Sequence, residues 1–179
     1  MPEIEIRPAT SDDIPTLMAL EHNYASDYVW QMEIQRDEHK VGVIFREAKL
    51  HRSVQVMYPR NPQSLADEWT KRDGILIAKT EEVIVGYSCL MQNMAPKTTW
   101  ITDLIVARRL RRQGIGTALV LASQEWALKK KSRRAILEMQ PKNFPAISMA
   151  RKIGFELCGY NDHYYTNNDI ALFFSKWLR

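Results

Sequence analysis

Residues 99 to 129 constrain this chain most. Thr99-Trp100-Ile101-Thr102-Asp103-Leu104-Ile105-Val106 reads as a strand, and it passes through the basic turn Ala107-Arg108-Arg109-Leu110 into Arg111-Arg112-Gln113-Gly114-Ile115-Gly116. A helical pattern follows at once, with Ile115, Ala118, Leu119, Ala122, Trp126 and Ala127 recurring at three and four residues. Lys129-Lys130-Lys131 stands at its C-terminal end, where cations offset the helix macrodipole.

The loop also has a chemistry. The first turn of a helix carries backbone N–H groups without intrahelical acceptors at the positive end of the dipole, so an anion is stabilised there without any side chain. Gly114 and Gly116 lack Cβ atoms and let a pyrophosphate approach the backbone. Arg108, Arg109, Arg111 and Arg112 supply charge for further phosphates. GK[ST] is absent, which excludes a Walker loop, and Leu119 stands where a dinucleotide fingerprint needs its third glycine.

Around this segment the chain alternates strands and helices. Ile4-Glu5-Ile6-Arg7 reads as a strand, with Thr10 to Asp13 offering caps for a helix carrying Ile14, Leu17, Met18 and Leu20. Three extended runs, at 29–34, 41–45 and 54–58, predict additional strands or a hairpin within 28–58. Tyr58-Pro59-Arg60-Asn61-Pro62 is a break, and a short helical turn follows over 64–70. Residues 74–79 and 83–90 form a hairpin across Thr80-Glu81-Glu82. After the long helix come a strand at 135–139, a helix at 144–152 stopped by Gly154, and closing strands at 155–160 and 169–177. About six to seven strands with helices between them read as an α/β (α+β) class, in a single domain over 1–179.

Composition narrows the function classes. With 45% apolar and 26% charged residues the chain is a folded globular protein. No apolar run approaches the roughly 20 residues of a membrane span, and Met1-Pro2-Glu3-Ile4-Glu5 is too acidic for a secretory leader, so a cytoplasmic protein without membrane partners is expected. Cys89 and Cys158 match no metal or redox spacing and read as buried reduced thiols; His22, His39, His51 and His163 are scattered without ligand spacing and read as surface or loop residues. No metal site is expected. The net charge of +4 is concentrated in the arginine turn and in Lys129 to Arg134, which asks for a specific anion. Aromatic interleaving is missing, so nucleic acid is not the expected partner.

The segment resembles motif A of the GNAT superfamily of N-acetyltransferases, whose [QR]-x-x-G-x-[GA] signature falls on Arg111, Gly114 and Gly116. Ile6-Arg7-Pro8-Ala9-Thr10 with Asp13-Ile14 is similar to the family's opening strand and helix, and Asn143-x-x-Ala146 ending in Gly154-Phe155 resembles its N-x-x-A-x(7)-G-F motif. The resemblance covers residues 1–27 and 74–160, and 28–73 fall where the family varies with acceptor. It implies the GNAT fold, a mixed central sheet of about six to seven strands flanked by helices, and acetyl-CoA as cosubstrate. The Leu104, Ile105 and Val106 backbone would pair with the pantetheine arm and polarise the thioester carbonyl, and the backbone N–H groups of Arg111, Arg112, Gln113, Gly114, Ile115 and Gly116, with Thr117 in the same first turn, would hold the pyrophosphate. Asn143 would hydrogen-bond the coenzyme near the transferred group. Trp100 to Asp103, Leu137 to Gln140 and Asp169 to Phe174 look most like the streptothricin-type antibiotic acetyltransferases.

Amide formation needs a neutral amine, and an alkylamine has a pKa of about 10.4, so a proton acceptor is useful. Glu138 is one candidate, spaced from Asn143 as the base is in the ribosomal-protein N-terminal acetyltransferase branch; Asp103 is the other, through water. Many family members carry a Tyr four residues before the Gly-Phe pair to protonate the departing thiolate, and Ala150 stands there in this chain. Tyr160, Tyr164 and Tyr165 are the candidates to replace it. Glu21, Asp27, Glu33, Asp37 and Glu38 are candidate receivers of a cationic amine. The expected reaction moves an acetyl group to a primary amine, a small molecule ahead of a protein N-terminus or lysine, with a non-catalytic acyl-CoA-binding module as the other reading. A homodimer is left open.

Overall fold

The computed structural model describes residues 3–179, so Met1 and Pro2 of the leader reading lie outside the described residues. β1 (Glu5–Pro8) pairs antiparallel with β4 (Gly74–Thr80). Asp13 then locks the turn into α1 (Ile14–Ala19): its carboxylate accepts from the Thr10 backbone N–H at 2.7 Å and from both terminal nitrogens of Arg7, at 2.8 and 2.9 Å. This is a reciprocal cap reinforced by a bidentate ion pair.

The region 28–58 differs from its reading in continuity. The three extended runs belong to two long strands, β2 (Tyr24–Arg36) and β3 (Val41–Val56), which form a separate two-stranded antiparallel sheet. Trp30 stacks against Phe174 and Phe45 against Tyr160, with ring centroids 5.5 and 5.4 Å apart, and the Trp30 amide donates to the Pro141 carbonyl. These aromatic anchors supply the burial that an isolated hairpin lacks. After the break comes the short α2 (Leu65–Glu68).

The remaining elements are β5 (Val83–Gln92), β6 (Thr98–Val106), α3 (Ile115–Lys129), β7 (Arg134–Met139), α4 (Phe144–Lys152), β8 (Glu156–Asn161) and β9 (Ala171–Trp177). With β1 and β4 they make a seven-stranded sheet in the order β1-β4-β5-β6-β7-β9-β8. Only β6 and β7 pair in parallel, and the crossover that such a pair requires is α3.

Both sheet faces are covered. Leu76, Ala78, Leu90, Ile101, Leu137 and Phe174 share a core with Leu119 of α3 and Ile147 of α4, whereas Ile75, Ile77, Tyr87, Cys89 and Ile105 pack with Leu17 of α1 and Leu65 of α2. A strand buried on both sides reads as a continuous apolar run, as 75–78 does.

Period-two alternation would put Ile101 and Ile105 on one face, yet they belong to opposite cores. The ladder between β5 and β6 shifts there, with Leu90 facing Ile101 and Cys89 facing Asp103, so Thr102 is the extra residue of a bulge. One inserted residue inverts every side chain beyond it. Asp103 is thereby turned out of the α3 and α4 core onto the face of Cys89 and Ile105.

Two side-chain expectations are corrected. Cys158 is exposed, because it lies at an irregular step of the edge strand β8, while Cys89 is a buried free thiol as expected. His22 is buried rather than on the surface; its ring bonds the Tyr87 hydroxyl at 2.9 Å and the Leu20 carbonyl at 2.6 Å, and burial lowers its pKa. Among the described residues, no helix is long and apolar enough to cross a membrane.

Candidate active site

The turn before α3 takes a shape few residues tolerate. Arg112 and Gly114 both have positive φ, 65° and 91°, and Gly114 is the helix N-cap. A glycine cap has no side chain to spend on the helix, and the first hydrogen bond inside α3 is from the Ala118 amide to the Gly114 carbonyl. The amides of Ile115, Gly116 and Thr117 therefore point out of the helix end without intrahelical acceptors. A Cβ on Gly116 would meet Met149, Val106 and Leu104 at 3.6 to 4.0 Å, ordinary contact distances, so packing within the protein does not demand glycine there.

The arginines of this turn divide. Arg108, Arg109 and Arg112 are exposed, as is Gln113. Arg111 departs from its expected role as a charge for phosphates. Its Nε donates to the Val106 carbonyl at 2.8 Å, Nη1 to the Asn23 carbonyl at 2.7 Å, and Nη2 to the Glu21 carbonyl. Asn23 in turn accepts from the Tyr58 amide at 2.8 Å through its side chain. The Arg111 guanidinium thus ties the glycine loop to the segment between α1 and β2, and through Asn23 to the start of the loop after β3.

β6 and β7 pair only from Thr98 with Arg134 to Ile101 with Leu137. Past that point they part, and the second half of β6, with Leu104, Ile105 and Val106, is hydrogen-bonded to β5 alone. A cavity opens at the splay, walled by Tyr24, Tyr58, Arg60, Asp103, Leu104 and Glu138, and closed by Asn143 and Met149 on the α4 side.

Both candidate bases are at this splay. Leu137 and Met139 enter the core with α3 and α4, so alternation turns Glu138 to the opposite face, the one to which the bulge turns Asp103. Arg60 lies between them: Nη2 pairs with Glu138 Oε1, and Nη1 lies 3.4 Å from Asp103 Oδ1 and donates to the Thr102 carbonyl at 3.0 Å. Asp103 also accepts from the Tyr58 hydroxyl, and from Thr102 Oγ1 at 2.8 Å. Tyr164 donates to Glu138 Oε2 at 3.2 Å. The Glu138 side chain is fully enclosed.

The electrostatics follow from that enclosure. Burial pushes the Glu138 pKa above the usual carboxylate value; the Arg60 charge opposes the shift and the nearby Asp103 adds to it. Burial works against the charge on Arg60, and the two carboxylates outweigh it. Burial also raises Tyr58, Tyr164 and Tyr165, the first with help from Asp103 and the others from Glu138.

Asn143 caps α4, its Oδ1 accepting from the Ala146 amide at 3.3 Å, and it borders the cavity. Ala150 is on the core-facing side of α4 and is fully buried. Of the three tyrosines weighed against its loss, Tyr164 and Tyr165 reach the cluster, Arg60 lying 5.2 Å over the Tyr165 ring, whereas Tyr160 packs on Phe45 of the hairpin. None of Glu21, Asp27, Glu33, Asp37 and Glu38 lines the cavity; all are exposed, and Glu33 and Asp37 pair with Arg46 and Lys40 of the same hairpin.

Sequence reasoning missed Tyr24, Tyr58 and Arg60. Tyr24 donates to Gln140, which donates to Asp169, closing the far wall. The available signal for the other two is Tyr58-Pro59-Arg60-Asn61-Pro62, an aromatic directly before one proline and an arginine held stiffly between two, although the local pattern reads only as a break.

Residues 44–155 match the family model described as Acetyltransferase (GNAT) family. The chain is 36% identical over 113 residues to an N-alpha-acetyltransferase of Sulfurisphaera tokodaii, a match spanning 53% of this chain and 64% of that relative. It is 21% identical over 166 residues to the streptothricin acetyltransferase of Streptomyces lavendulae, spanning 90% of this chain and 86% of the relative. Among solved structures, nourseothricin acetyltransferase superimposes with a TM-score of 0.84 at 22% identity, covering 98% of this chain and 99% of the other. A Bacillus anthracis str. Ames protein assigned as a streptothricin acetyltransferase, in complex with acetyl coenzyme A, gives 0.74 at 18% identity over 98% and 99%.

Proposed function

Because this chain belongs to the acetyltransferase (GNAT) family, we propose that it transfers an acetyl group from acetyl-CoA to the primary amine of a small cationic molecule. The observation that carries this reading is the meeting at one splay of an uncapped helix start, an unpaired strand edge and two carboxylates. Acetyl-CoA, the bound ligand of one structural neighbour, supplies the acyl group as an activated thioester.

This chain's residues then have separable tasks. The amides of Arg112, Gln113, Gly114, Ile115, Gly116 and Thr117 face the diphosphate at the positive end of α3. The free edge of Leu104, Ile105 and Val106 offers backbone groups to the pantetheine amides, as a strand would. Asn143, whose Oδ1 is taken by its helix, keeps its amide nitrogen for the acyl end. Glu138 takes a proton from the substrate's ammonium, exchanging its Tyr164 bond for the substrate's N–H, and the neutral amine so formed attacks the thioester carbonyl; Asp103, held by Tyr58 and Thr102, orients the acceptor. Tyr164 and Tyr165 are the nearby phenols for the departing thiolate, which with a thiol pKa of about 8.5 needs little help.

Two carboxylates against one guanidinium leave the cluster with an excess negative charge, which suits an ammonium-bearing acceptor. The likeness to streptothricin acetyltransferases supports a small molecule over a protein chain end. Thiol release from acetyl-CoA against a panel of small polyamines, aminoglycoside-type amines and peptides checks this. Turnover is expected with small amines, and Glu138→Gln is expected to lower kcat by roughly 10²- to 10⁴-fold with coenzyme A affinity retained. Coenzyme A binding without turnover on any amine would overturn the assignment.

A further inference from the structure

Arg60 comes from the loop between β3 and α2 and reaches two strands at once. It touches the carboxylate of Glu138, the carboxylate of Asp103 and the Thr102 carbonyl exposed by the bulge. Its side chain is three-quarters buried, and the loop that carries it is held by the Tyr58 amide on Asn23 and by Tyr58 on Asp103. Two carboxylates brought to one face of a sheet without a cation would repel each other in a low-dielectric setting. We propose that Arg60 is a positioning residue for the reaction: its guanidinium is the shared counter-ion that draws Asp103 and Glu138 together at the splay of β6 and β7 and keeps Glu138 as a proton-accepting carboxylate. The proposal rests on the reading of Glu138 as the base.

The groups facing Glu138 are few. Arg60 and Tyr58 come from the loop after β3, Asp103 from β6, and Tyr164 and Tyr165 from the loop between β8 and β9; its partner across the β7–β9 ladder, Phe173, is apolar. Arg60 is the one cation in that set. Burial and Asp103 both favour the protonated acid, and Arg60 opposes them. A neutral side chain in its place removes the guanidinium's opposition and leaves only the tyrosine hydrogen bond working against burial and Asp103.

The test is a carbon-13 NMR titration of the full chain labelled at glutamate, with the Glu138 signal identified by its loss in Glu138→Gln. Arg60→Gln is expected to move the Glu138 midpoint upward by about one pH unit or more, and Arg60→Lys to restore most of the wild-type midpoint. The acidic limb of kcat/KM should move by the same amount, with the dissociation constant of coenzyme A unchanged. A purely structural role would lower kcat at all pH values and leave the limb in place, and coincident midpoints in wild type and Arg60→Gln would overturn the proposal. Should Arg60→Gln fail to fold, Asp103→Asn serves: it keeps the cation and removes the repelling charge, so the midpoint must fall, and an unmoved midpoint refutes the shared cluster. The titration needs no acceptor, so it reads Arg60 even if the amine panel shows no turnover and the assigned reaction fails.

Discussion

Asp13 shows how much one side chain can organise. It accepts from the Thr10 backbone and hydroxyl and from Arg7, and the Arg7 hydrogen bond, opposed by burial, holds its carboxyl well below the ordinary aspartate value of 3.8. A carboxylate depressed in the folded state adds stability that is fully present above its unfolded pKa and is lost as pH falls through the folded one. Asp13→Asn is therefore expected to lower the urea midpoint at pH 7, and the gap to wild type should shrink below about pH 4. Equal gaps at pH 7 and pH 3 would contradict this account. The glutamate at 138 has the opposite sign, raised by burial, so its work as a base should fade at a higher pH than for an ordinary carboxylate as the solution is acidified.

At the scale of elements, the start of α3 is the segment on which coenzyme binding depends. Gly114 sits at φ 91°, where an L-residue costs roughly 1–2 kcal/mol. Gly114→Ala should lower the melting temperature by about 2–8 °C in a chain of this size and weaken coenzyme A, whereas Gly116→Ala should keep the melting temperature because its new methyl meets only ordinary contacts. Calorimetry of both variants with and without coenzyme A measures this, and equal thermal stability of the two would contradict the strained-turn account. The boundaries of α3, β7 and α4 were legible in sequence, since apolar periodicity and the Asn143 and Gly154 stops are local signals. The buried face of α3 was legible only in part: Ile115, Leu119 and Ala127 are enclosed as expected, but Val120, Ser123 and Gln124 are enclosed too, and Ala118, Ala122 and Trp126 stay half-exposed. Ser123 bonds Ser88 at 3.0 Å, a partner that no periodicity reveals.

For the molecule as a whole, a coenzyme site assembled from β6, the α3 turn and α4 should couple ligand binding to global unfolding. Coenzyme A at about a hundred times its dissociation constant stabilises the native state by roughly 2.7 kcal/mol, which is an upward shift of about 5–10 °C for a protein of this length. Thermal melts across a coenzyme A series measure it, and a flat series would remove the basis of the assigned function. The amino-acid sequence by itself determined the order of strands and helices, the glycine turn and the alternation that turns Glu138 away from the core, because each depends on neighbours a few residues apart. Tertiary structure alone decided that Thr102 forms a bulge, that Asp103 consequently faces Glu138, that Arg111 is consumed by backbone carbonyls and that Arg60 joins the two carboxylates. The Arg60 contacts, and those of Arg111 to Glu21 and Asn23, link residues 42 to 90 positions apart, and such pairings are chosen by the packing of whole strands and loops rather than by any local pattern.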